Sequence, residues 1–155
     1  MKTLSPLIKT AAKYGAVAGP LGFILMVTMY YMGSHPFFIL IFFDFRVILF
    51  SVFIFFSLKE YRDFHQDGVL SFPEGMVGSF LFVTIFSCIV SLALLLFEIA
   101  VPQFLNDYIS LSIEKLKTLP PDIVERIGKS SVESNLQTMP STDIYALPKL
   151  YLFQS

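Results

Sequence analysis

Three ionisable side chains stand where the sequence is otherwise apolar: Asp44 and Arg46 inside the run 37–58, and Glu98 near the far end of the run 72–101. A charge at membrane depth costs on the order of 3 kcal/mol on insertion scales, so such residues face protein or water and are the first candidates for an ion path. On a continuous helix Asp44 and Arg46, two positions apart, point to nearly opposite sides and make poor partners. Both lie about two turns from the outer boundary and can reach it by snorkelling, which suits Arg46 better than the short Asp44. If the runs alternate across a membrane, Arg46 and Glu98 fall in the same leaflet, and an interhelical ion pair between them is expected. Other chemistry is sparse. Asp63 and His65 have the residue types of a metal or catalytic pair, but no third ligand stands near them, and a solvated loop explains them better. His35 and His65 are separated by an apolar run and cannot share a site within one chain that crosses a membrane there. No Ser, His and Asp set has motif context, and no Gly-rich phosphate loop follows a strand. No enzyme, cofactor or metal site is therefore expected.

Composition explains why those charges matter. With 55% hydrophobic residues and 18 Phe in 155 residues, the chain is too apolar for a typical soluble domain. A formal net charge of −1 leaves no excess of basic residues to recruit nucleic acid. The single cysteine, Cys88, lies in an apolar run; it excludes an internal disulfide framework and reads as a small buried residue.

The elements that must carry these residues follow from the pattern. Apolar stretches at about 14–32, 37–58 and 72–101 are each long enough to cross a hydrocarbon core of about 30 Å. The spacing thus predicts an all-α integral membrane protein with three transmembrane helices in a membrane domain 1–101. The first stretch is too long for a signal-peptide core, and the short turn Gly33 to Pro36 leads straight into the second. Within it Ala11, Gly15 and Gly19 recur every four residues and Ala18 is four from Gly22, a small-residue face for close helix packing. Between the second and third spans lies a polar elbow, 58–78, with an Asp67-Gly68 turn. Ser71 and Glu74 there have capping-box spacing: the Ser hydroxyl accepts from the N3 backbone N–H, and the Glu carboxylate reaches back to the Ser N–H. Lys2, Lys9, Lys13, Lys59 and Arg62 gather at one end of the spans, which puts the N-terminus and the 59–71 loop in the cytoplasm. Residues 102–143 then fall in the periplasm. There Phe104, Leu105, Tyr108, Ile109, Leu111, Ile113 and Leu116 recur at helical spacing over Pro102 to Thr118, an amphipathic helix. Asp122 to Leu136 reads as a second, more polar helix, weakened by Gly128 and its serines. The tail 144–155 turns apolar again, as an interfacial anchor or the entrance to a fourth span that the chain does not complete.

Lys59-Glu60-Tyr61-Arg62-Asp63, Gly68-Val69-Leu70-Ser71-Phe72 and the Gly75 to Gly78 start of the third helix resemble the signature of a family of small integral membrane proteins common in Bacteroidota, domain of unknown function 4199. The resemblance runs from about Tyr14 to Leu119 and is most specific at the elbow. It implies a bacterial inner-membrane protein, usually of four transmembrane helices, and so a fourth helix missing here. It implies no activity, substrate or catalytic residue.

Two functions are compatible with these features. One is a non-catalytic accessory or assembly subunit, with the lipid bilayer and other membrane subunits or further copies of itself as partners. The alternative is a transporter or channel component that uses Asp44, Arg46 and Glu98.

Overall fold

The computed structural model describes residues 4–39 and 44–154, so Lys2, residues 40–43 of the expected second span and Ser155 lie outside it. Helix is the only regular structure among the described residues: α1 (Leu4–Tyr31), a 3₁₀ turn (Pro36–Phe38), α2 (Phe45–His65), α3 (Phe72–Ala100), α4 (Gln103–Lys117), α5 (Pro121–Ile127), α6 (Lys129–Thr138), a second 3₁₀ turn (Met139–Ser141) and α7 (Ala146–Gln154).

α1 and α3 run side by side in the same direction and form the spine. Gly15 lies against Ile85, Gly19 against Ile89 and Gly22 against Phe86, while Gly78 of α3 receives Leu7 of α1 and Leu58 of α2. A Cβ on Gly19 would stand 2.7 Å from Ile89 Cγ2, closer than real contacts allow, so hydrogen at that position is what lets the two backbones approach. The small-residue face is therefore consumed inside the chain. On α3 the facing stripe is Gly78, Phe82, Phe86, Val90, Leu94 and Glu98, spaced by four and buried along its whole length. α2 packs antiparallel to α1, with Tyr14 edge-on to Phe53 at 6.4 Å between ring centroids.

Two of these helices, over Pro6–Tyr31 and Phe72–Ala100, are long and apolar enough to cross a membrane. α2 differs from the expected span at 37–58. It starts only at Phe45, because Pro36 seeds a 3₁₀ turn and Asp44 caps a new helix. The apolar part of α2, residues 45–58, is then only about 21 Å long at 1.5 Å per residue. An unbroken run of Phe, Ile and Leu is silent about where a helix begins; the Pro and the Asp that bracket it decide that.

The turns follow their local chemistry. Gly33, at φ 85°, closes α1 with paired bonds from Ser34 N to Met29 O (3.1 Å) and from Gly33 N to Tyr30 O (3.0 Å), the two-bond glycine stop of a helix C-terminus. Asp67 and Gly68, at φ 49° and 84°, reverse the chain after α2, two adjacent left-handed residues that Asp and Gly tolerate best.

Beyond α3, the amphipathic stretch is helical over Gln103–Lys117, with Phe104 and Ser112 buried. The second helix expected over 122–136 is divided: Gly128 sits at φ 93° between α5 and α6, and no continuous helix passes through that conformation. The tail forms α7 and packs along α3. Ser91 Oγ donates to Pro148 O at 2.9 Å, and Leu147 is fully buried in the same core as Met26, Leu94 and Phe104.

Candidate functional site

Asp44 and Arg46 close on each other. Asp44 is the N-cap of α2, so its backbone is extended and its side chain is free to turn back over the first helical turn. Asp44 Oδ1 accepts from the Arg46 backbone N–H at 2.9 Å and from Arg46 Nε at 2.8 Å, and the guanidinium Nη2 binds Asp44 Oδ2 and the Pro36 carbonyl. The side chains are only 14% (Arg46) and 12% (Asp44) exposed. The expectation that they point apart assumed both lay within one helix; at a helix start the cap residue escapes that geometry. The clamp is neutral, and it pins the Pro36 turn to the head of α2.

Glu98 consequently has no arginine. It is 1% exposed, and neither carboxylate oxygen has a hydrogen-bond partner among the described residues. The ion pair expected between Arg46 and Glu98 does not form: the guanidinium turns its Nε and Nη2 to Asp44 and the Pro36 carbonyl, and neither Glu98 oxygen has a partner among the described residues. Leaving a buried polar group unsatisfied costs about 1–3 kcal/mol, more for a charged one, so Glu98 is costly where it stands.

A third site was not among the candidates read from sequence. His35, in the turn between α1 and α2, is 7% exposed and enclosed by rings: Phe104 at 4.7 Å, Tyr108 at 5.6 Å, Phe38 at 5.8 Å, Phe37 and Tyr30 at 6.0 Å. Its Nε2 lies 3.2 Å from the Phe104 carbonyl oxygen, which can only accept, so Nε2 carries the proton and Nδ1 holds a lone pair. That Nδ1 is buried without a partner among the described residues. Burial pushes the imidazole below its ordinary 6.5, against weaker upward pulls from the Phe104 carbonyl and Asp107. Beside it Tyr30 Oη donates to Asp107 Oδ2 at 2.7 Å, joining the end of α1 to α4. His35, Tyr30 and Asp107 line a cleft of about 540 Å³ together with Tyr31, Gln103, Ser110 and the apolar Val101 and Leu111. Its only advance signal was a His between Gly-Ser and Pro-Phe-Phe, which suits an ordinary turn equally well.

At the elbow, Ser71 is the N-cap of α3, but the capping box takes another form. Ser71 Oγ donates to Glu74 Oε2 at 2.6 Å instead of accepting from the helix backbone, and Glu74 Oε1 accepts from Gln66 Nε2 at 2.7 Å. Gln66 Nε2 also meets Tyr61 Oη at 2.6 Å, so the acid ties both ends of the elbow together instead of serving one helix end. Asp63 accepts from Arg62 Nε at 2.8 Å, in line with a solvated role. Nearer α1, Glu60 binds Lys13 Nζ (2.7 Å) and Tyr14 Oη (2.8 Å), and the lysine holds its carboxyl below the ordinary 4.5.

The fold and its sites define an all-helical protein with two helices long and apolar enough for a membrane. The chain belongs to the family described as protein of unknown function (DUF4199), whose model matches residues 13–148. No curated protein and no solved structure matches it.

Proposed function

We propose that this protein is a multi-pass component of the bacterial inner membrane that catalyses nothing itself and serves as an accessory or assembly subunit of a larger membrane complex. The observation that supports the reading is the outer surface of α2 and α3. Phe55, Phe56, Phe80, Leu92, Leu96 and Ile99 are all large, apolar and 46–71% exposed. Such a surface offers itself to lipid and to partner helices. The glycine face of α1 plays no part in that attachment, because α3 already covers it. In this reading α2 completes the passage as a third membrane helix. The lysines at positions 9, 13 and 59 put the N-terminus and the elbow in the cytoplasm, and α4 to α6 in the periplasm. Extraction from native membranes in mild detergent, followed by mass spectrometry of the intact assembly, tests this. Stable co-purifying membrane subunits are expected; recovery as a lone small species overturns the assignment.

Glu98 favours a second reading, a transporter or channel component. A buried acid without a protein partner is a natural stop for a proton or cation. Asp44 and Arg46 contribute less to it, being closed on each other. Proton or cation flux in vesicles that persists unchanged in Glu98→Gln disposes of this alternative.

A further inference from the structure

α3 carries two stripes. One faces α1 and is the buried row from Gly78 to Glu98. On the other, every fourth residue from Phe72 to Leu96 is exposed, and none is charged. At 1.5 Å per residue this outer stripe is about 36 Å long, about 6 Å more than a hydrocarbon core. The excess falls at the elbow. Leu58 is the last apolar residue of α2 before Lys59 and Glu60, and it packs against Gly78, so the hydrocarbon boundary crosses α3 near Gly78. Phe72, six residues earlier, stands about 9 Å beyond that boundary, a distance comparable with an interfacial layer of about 5–8 Å.

The elbow is also inverted in polarity for a loop in water. Tyr61, Gln66, Ser71 and Glu74 are joined to one another by hydrogen bonds, and Tyr61 is buried. Phe64, Val69 and Phe72 stand outward, 74–80% exposed. Lys59, His65 and Asp67 are exposed beside them in the chain. Large apolar side chains mixed with charges suit neither hydrocarbon nor water, but the headgroup layer solvates both. From the stripe, the boundary and this mixture we infer that the elbow is seated in the headgroup layer of the membrane, with phospholipid covering its outer surface. Leu58, Leu70, Phe72, Gly75 and Met76 line an open groove of about 610 Å³ there, a bed for an acyl chain of that leaflet. A second protein is the competing occupant. Against it, the uncharged stripe runs on into the span, so lipid that covers Leu92 and Leu96 reaches Phe72 without a change of surface. All of this rests on α3 crossing the membrane, as proposed above, and not on the subunit role.

The chain has no Trp, so one introduced indole reports alone. Phe64→Trp, Phe72→Trp and Leu92→Trp are made singly in the full chain and reconstituted in phosphatidylcholine vesicles brominated either near the headgroup or near the chain end. Leu92→Trp tests the underlying proposal: stronger quenching by the deep bromine is expected, and no quenching by either lipid removes the membrane crossing and the inference together. With Leu92→Trp quenched, Phe64→Trp and Phe72→Trp should be quenched about twofold more by shallow than by deep bromine, and shielded from acrylamide. Full acrylamide quenching without a bromine effect places the elbow in water and overturns the inference alone. Shielding from both quenchers marks a protein cover and overturns it as well. Because indole itself favours the interface, a second readout uses the unchanged chain. A phospholipid with a photoreactive diazirine at its headgroup should leave adducts between Phe64 and Met76, located by mass spectrometry after digestion. No adduct in that stretch also overturns the inference.

Discussion

Arg46 reaches back two residues to Asp44, and the same carboxylate that caps the first turn of α2 forks onto the guanidinium, with the Pro36 carbonyl completing the clamp. A helix start thereby becomes a neutral, largely buried unit holding the α1–α2 connection in place. Removing either partner strands the other.

For that reason Asp44→Ala should destabilise the protein by about 3 kcal/mol, combining an unpaired, largely buried arginine with a lost cap. The double variant Asp44→Ala/Arg46→Leu should recover much of the loss, because no charge is then left alone. Thermal unfolding in detergent measures both. Simple additivity of the two single effects refutes the clamp.

The α1–α3 contact should be equally sensitive to a single methyl group. Gly19→Ala places a carbon against Ile89, and because the obstacle is a β-branched side chain beside its own backbone, accommodation requires the helices to separate. A loss of about 1–3 kcal/mol is expected. Ile89→Ala in the same chain should restore part of it. A Gly19→Ala protein that melts with the wild type shows the close approach to be unnecessary.

Glu98 leads to the opposite sign. It occupies a core position on the Gly78 to Leu94 stripe without a hydrogen-bond partner among the described residues, so Glu98→Met, of similar volume, should raise stability by about 1–3 kcal/mol. Melting temperature reads this directly. A stabilised variant that has lost a cellular function marks the residue as retained for that function; a destabilised one indicates an unseen partner for the acid.

His35 ties stability to pH. Its folded pKa lies below the ordinary 6.5, so between the two values the unfolded chain binds more protons than the folded one. Stability from this residue is therefore complete above about pH 6.5 and is lost as pH falls through the folded value. Melting temperature measured from pH 7.5 to 4.5 should drop on acidification, and the drop in that window should shrink in His35→Gln. Glu60, also held low, gives the same sign, but in a lower window, below its ordinary 4.5.

The sequence by itself determined what local chemistry decides. Hydropathy and length define α1 and α3 as membrane-long helices, Gly33 and Asp67-Gly68 mark the reversals, and the spacing of Gly15 and Gly19 announces a close helix approach. Periodicity likewise marks the amphipathic α4. Each of these depends on a few neighbouring residues, so it is legible without the fold. The resemblance at the elbow pointed to the family for the same reason, since it rests on a contiguous run of residues.

Only the tertiary structure decided who meets whom. That α3 fills the glycine face, that Arg46 chooses Asp44 over Glu98, and that α7 lies along α3 all depend on how the helices are set against one another. The cleft is the clearest case: His35 meets Phe104 across 69 residues and Tyr30 meets Asp107 across 77. No local pattern couples positions so far apart. Burial then changes their chemistry, turning an ordinary turn histidine into an acceptor with an unspent lone pair, which is a property of packing and not of residue type.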